Sequence, residues 1–136
     1  MWTTPDVLII HLKRFQYTSG SAYAHRQKID DLVDFPIEGL DLAPFMARCG
    51  APVHYDAPPV YDLYAVSEHT GSLRGGHYTT VARNFVNGKW YDFNDGHVRE
   101  VTAAAAVTPR AYVLFYKRRG GSLRWGGLGG DLMSVS

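Results

Sequence analysis

The sequence predicts an α+β domain that is mostly antiparallel β. Three observations carry this prediction. Tyr, Phe, Val and Thr are abundant, and these residues suit a pleated, half-buried surface. Apolar residues gather in runs of strand length, at Val7 to Ile10, Val60 to Val66 and Ala111 to Tyr116. Helical signals are sparse, confined to two short stretches that follow a capping residue.

Taken in order, Pro5-Asp6 marks a turn and Val7 to Phe15 reads as one strand. Its first half is apolar on both faces, as in the centre of a sheet. Its second half alternates, with Leu12 and Arg14 opposite His11, Lys13 and Phe15. His11 reads as a structural residue of that strand. Gln16 to Arg26 is polar, with Ser19-Gly20-Ser21, and reads as a hairpin loop. Gln27 to Pro36 returns as an extended segment, and Pro36 caps that strand or places it at an edge. Asp41 is placed to cap a helical turn over Ala43 to Met46, where Pro44 fits a first turn. Arg48 to Pro59, with Cys49 and three prolines, is a loop.

Val60 to Ser67 alternates as a strand, and Glu68 to Arg74 reads as a polar loop. Gly75-Gly76-His77 leads into a strand ending at Arg83. Asn87-Gly88 is a hairpin turn signal, so Lys89 to Phe93 is the antiparallel neighbour of that strand. Asn94 to His97 is a turn, and Val98 to Val101 is extended. Thr102 is placed to cap a short helix over Ala103 to Ala106, closed by Pro109. Ala111 to Tyr116 is a core strand, and Lys117-Arg118-Arg119 ends it in solvent.

The chain has 136 residues and a net charge of +1, enough for one domain with a real core and no field that invites nucleic acid. Residues 1–119 form that domain. Residues 120–136 are Gly- and Ser-rich and read as a disordered tail or linker. A single cysteine excludes an internal disulfide and a CxxC zinc site, and it fits a reducing, intracellular compartment, cytoplasmic or nuclear. No metal and no cofactor is expected. No apolar run approaches the ~20 residues that span a bilayer, so no membrane role is expected.

The candidate chemistry lies at Gly75-Gly76-His77-Tyr78. A histidine between a glycine break and a strand is well placed as a general base, because the strand fixes the ring and the loop admits substrate. Standing alone, such a histidine is more often an ordinary solvent-facing strand-start residue. Its company decides. His77 begins one strand of the hairpin and Asn94 ends the other, so both lie at the same end, with Asp95 beside them. Cys49 is a tempting nucleophile, but it lies in a turn-rich setting with no helix start to activate it.

Five motifs in this order resemble the C-terminal half of the catalytic domain of ubiquitin-specific proteases. They are Pro5 to Phe15, Tyr61 to Val66, Gly75 to Thr79, Trp90 to Asp95 and Ala111 to Tyr116. The resemblance implies the palm/fingers portion of a papain-like cysteine peptidase that cuts after the C-terminal glycine of ubiquitin. It implies that His77 is the catalytic histidine and that Asn94 is the third triad member. Asp95 is then a further acidic position near the site. It gives Gly75, Gly76 and Tyr78 a place along the ubiquitin-tail channel, bordered by a blocking loop from Glu68 to Gly76. Nothing in the chain matches the family's cysteine box, its oxyanion donor or its zinc ligands. The expected partners are therefore ubiquitin, ubiquitinated proteins and the N-terminal half of the catalytic domain. A non-catalytic ubiquitin-binding or scaffold module is the alternative. Leu73-Arg74-Gly75-Gly76 spells the end of ubiquitin itself and is read as coincidence.

Overall fold

The computed structural model describes residues 4–17, 26–46, 58–72 and 75–121. Nine strands follow in chain order among them: β1 Val7–His11, β2 Phe15–Tyr17, β3 Arg26–Lys28, β4 Leu40–Asp41, β5 Val60–Ser72, β6 Gly75–Arg83, β7 Trp90–Asn94, β8 His97–Val101 and β9 Ala111–Arg118. Seven form one sheet in the order β1-β9-β5-β6-β7-β8, with β4 added to β5; β2 and β3 form a separate pair. All the pairings are antiparallel. Two 3-10 turns, Ala43–Phe45 and Ala103–Ala106, are the helical content among the described residues.

One face of the sheet holds the core. Tyr61, Leu63, Val66, Val81, Trp90, Leu114 and Tyr116 are buried there, closed over by Phe35 and Ala106. Alternation puts Tyr61 and Leu63 on one side of β5, the register shift between Leu63 and Ala65 brings Val66 to the same side, and directly opposed residues share a face. The two most buried tyrosines keep their hydroxyls satisfied. Tyr61 Oη donates to the Pro5 carbonyl at 2.6 Å, and Tyr116 Oη donates to the Pro36 carbonyl at 2.7 Å. Burial pushes the Tyr116 phenol up to about 12.

Several expectations are corrected. Val7 to Phe15 is two strands rather than one. The chain turns at Leu12 to Arg14 because the Arg14 side chain, 3% exposed, is drawn inward. Its guanidinium donates to the carbonyls of Ala111 at 2.5 Å, Ile29 at 2.9 Å and Asp31 at 2.9 Å. β1 is also an edge strand, with Ile9 59% exposed, rather than a central one. The extended return after the hairpin is short, ending at Lys28, although β2 and β3 do pair as a hairpin. The loop between them, residues 18–25, lies outside the described residues. Asp41 caps one residue early: its Oδ1 accepts from Ala43 N at 2.8 Å while Leu42 holds the N-cap position. Thr102 stands at the N-cap of its turn without a side-chain cap bond. Arg118 and Arg119 do not end in solvent alone. Arg118 pairs with Asp6 at 2.8 Å, and Arg119 donates twice to Asp62, each at 2.7 Å. Cys49 and the tail beyond Gly121 lie outside the described residues.

Candidate active site

The hairpin of β6 and β7 builds the site. Its turn is fixed by local chemistry: Gly88 takes φ 72°, Asn84 Oδ1 accepts from Val86 N, and Asn87 Oδ1 accepts from Lys89 N. The strands then pair from Arg83↔Trp90 to Thr80↔Phe93. Val81 faces Asp92, so alternation puts His77, Thr79 and Val81 on the same face as Trp90, Asp92 and Asn94. That is the core face, and His77 and Asn94 stand at its open end.

There the two side chains meet. His77 Nε2 lies 2.7 Å from Asn94 Oδ1. A carboxamide oxygen can only accept, so Nε2 carries the proton and Nδ1 is the basic nitrogen. Asp95 Oδ2 lies 3.7 Å from the same Nε2. Both contacts use one nitrogen and leave the other edge of the ring for a reacting group. Asp95 holds φ 51°, a left-handed conformation at the tight β7–β8 turn, where Asn94 pairs with His97. The ring of His77 is 46% exposed and Asp95 is 79% exposed. The ring is therefore about half open to solvent and held through Nε2.

The stretch from Glu68 to Gly76 differs from its reading as a loop. β5 continues to Ser72 and β6 begins at Gly75, so the two form one long hairpin. Leu73 and Arg74 lie outside the described residues. The polar run forms a strand because its charge is satisfied inside. Glu68 is 2% exposed and accepts from Thr79, Thr108 and Arg110. The backbone freedom of this hairpin is used at Gly71, which takes φ 104°. Gly75 has open space where a Cβ would stand. Gly76 does not: a Cβ there would strike the His69 ring and lie 2.6 Å from the Thr70 carbonyl oxygen. The bareness of Gly76 thus makes room for His69.

On the opposite face of the hairpin, Tyr78 is 56% exposed. Its ring lies 4.7 Å from that of His69 and 6.2 Å from that of Tyr112. His69 is buried and also packs edge-on against Phe15 at 5.6 Å. His11 turns its ring edge-on to Tyr112 at 4.6 Å, away from His77 and Asn94. Sequence reasoning missed Glu68 and His69. A signal was present, since the alternation of Val66, Glu68 and Thr70 against Ser67 and His69 continues the β5 pattern without a glycine until Gly71.

The ubiquitin carboxyl-terminal hydrolase family matches residues 1–116. Among curated proteins, ubiquitin carboxyl-terminal hydrolase 4 of Pongo abelii is 45% identical over 119 residues, covering 88% of this chain and 11% of the relative. Ubiquitin carboxyl-terminal hydrolase 12 of Saccharomyces cerevisiae is 46% identical over 121 residues, covering 88% and 9%. Among solved structures, the yeast SAGA DUB module with an Sgf73 variant superposes with a TM-score of 0.68 at 28% identity, covering 85% of this chain and 24% of that one. The SAGA Ubp8/Sgf11/Sus1/Sgf73 DUB module bound to ubiquitin aldehyde does so with a TM-score of 0.68 at 27% identity, covering 85% and 25%. This chain spans about a tenth of the length of those curated relatives. The family match over residues 1–116 and the identity to these relatives place the chain in the ubiquitin carboxyl-terminal hydrolase family.

Proposed function

We propose that this chain is the base-bearing part of a thiol-dependent deubiquitinase, which hydrolyses peptide or isopeptide bonds at the C-terminal glycine of ubiquitin. The observation that carries the reading is the 2.7 Å contact between His77 Nε2 and Asn94 Oδ1, made at the open end of two adjacent strands. In this reading a cysteine from a segment outside these 136 residues meets Nδ1.

The steps follow from that arrangement. Nδ1 takes the thiol proton, giving a thiolate beside an imidazolium. Asn94 holds the ring and stabilises the imidazolium by accepting from Nε2, adding no charge of its own. The thiolate attacks the carbonyl carbon of the terminal glycine. As the tetrahedral intermediate collapses, the C–N bond breaks and Nδ1 returns its proton to the departing amine. Nδ1 then takes a proton from water, the hydroxide adds to the thioester carbon, the C–S bond breaks as Nδ1 returns its proton to the sulfur, and the ubiquitin tail leaves as a carboxylate with its proton lost to solvent. In this reading the backbone of Gly75 and Gly76 borders the path of the ubiquitin tail, while the Cα side of Gly76 is filled by His69 and the exposed Tyr78 ring lies on the face away from His77.

The test is to supply the thiol-bearing part of the domain, in cis or in trans, and follow hydrolysis of a fluorogenic ubiquitin C-terminal reporter. Turnover that needs both parts supports the proposal. Binding of ubiquitin with no turnover would turn the reading to a binding module.

A further inference from the structure

His77 and Asn94 meet where their strands have already parted. The last backbone pair between β6 and β7 is Thr80↔Phe93. Beyond it, Thr79, Tyr78 and His77 pair with β5 alone, opposite Glu68, His69 and Thr70. The stance of His77 relative to Asn94 is therefore set from the β5 side. At the point of parting stands a carboxylate that the hydrolytic steps do not use. Glu68 is 2% exposed, and both of its oxygens are occupied. Oε2 accepts from Thr79 Oγ1 at 3.2 Å and from Arg110 Nη2 at 3.1 Å, while Oε1 accepts from Thr108 Oγ1. The residue also marks a bulge, since the β5–β9 register shifts between Ser67 and Glu68. One side chain thus ties β5, β6 and the turn entering β9 together. It does so through Thr79, two residues from His77 on the same face.

The geometry points to Glu68 as a positioning residue for His77, acting through Thr79 to aim the end of β6 at Asn94; this rests on the role proposed for His77. A buried carboxylate with several donors is costly to disturb, which makes it a stiff anchor. Stiffness matters here because the His77–Asn94 bond has no backbone ladder of its own to hold it.

The test uses the isotope-labelled 136-residue chain and the nuclear Overhauser contact between the His77 ring and the Asn94 side chain. Thr79→Val removes the hydroxyl and keeps the shape, and Glu68→Gln removes the charge. Both are expected to cut that contact by more than half in the folded protein, and Thr79→Ser is expected to restore it. Leu8→Ala, far away on β1 and packed against the core, is expected to lower the melting temperature and leave the contact intact. If Glu68→Gln does not fold, Thr79→Val decides alone. An unchanged contact in folded Thr79→Val, or an equal loss in Leu8→Ala, overturns the proposal. No hydrolysis is needed for this measurement, so it can fail while the deubiquitinase reading stands, or hold while that reading falls.

Discussion

Removing Asn94 should cost less than removing His77, and the reason lies in Asp95. Asn94→Ala deletes an acceptor 2.7 Å from Nε2. A hydrogen bond to a charged group contributes about 1.5–3 kcal/mol. The His77 ring is 46% exposed, so water replaces part of that loss and the low end applies. At about 1.4 kcal/mol per decade, kcat should fall about tenfold with KM nearly unchanged. Asp95→Ala removes an exposed carboxylate 3.7 Å from the same nitrogen. Exposed pairs contribute about 0.2–1 kcal/mol, so kcat should fall by about fivefold at most. When Asn94 is absent, Asp95, at 3.7 Å, needs to close about 1 Å to stand where the Asn94 oxygen stood at 2.7 Å and take over the vacant N–H. The double variant should then lose more than the product of the single losses. The assay is reporter hydrolysis with the thiol-bearing part supplied, run as a double-mutant cycle. Losses that simply multiply would refute a shared partner. An Asn94→Ala enzyme within twofold of wild type would refute Asn94 as the orienter of the ring.

Two further outcomes follow from the same coordinates. Gly76→Ala drives a methyl group into the His69 ring and should destabilise the fold by about 1–3 kcal/mol, whereas Gly75→Ala meets nothing within 4 Å and should leave the melting temperature nearly unchanged. Tyr116→Phe leaves the Pro36 carbonyl without its donor and should cost about 1–3 kcal/mol in denaturant titrations. The native phenol sits at about 12 against an ordinary 10.0, so its stabilisation is whole below pH 10.0 and is lost as pH rises towards 12. That alkaline limb of the melting curve should be smaller in Tyr116→Phe, and an identical limb in both proteins would assign it to other groups.

What the sequence made legible was local or periodic. Asn87-Gly88 marks the turn, the alternation after His77 marks a strand, and counting back from the turn brings His77 and Asn94 to one end. The resemblance then adds roles that geometry alone does not. What stayed hidden depends on partners far along the chain. Arg14 bends β1 away from β2 because its acceptors are at residues 29, 31 and 111. Glu68 reads as loop because its donors are at residues 79, 108 and 110. A charged residue is assigned to solvent until its counter-groups are known, and here they are supplied only by the fold. Gly76 likewise reads as room for a ligand, when the occupant of that room is His69, seven residues earlier.

The most direct measurement of the central claim is to compare His77→Ala with Cys49→Ala in the assembled enzyme, following release of a ubiquitin C-terminal fluorophore. His77→Ala should abolish turnover and Cys49→Ala should keep the wild-type rate. A His77→Ala enzyme that still turns over, or a Cys49→Ala enzyme that does not, would contradict a base on β6 serving a thiol from elsewhere.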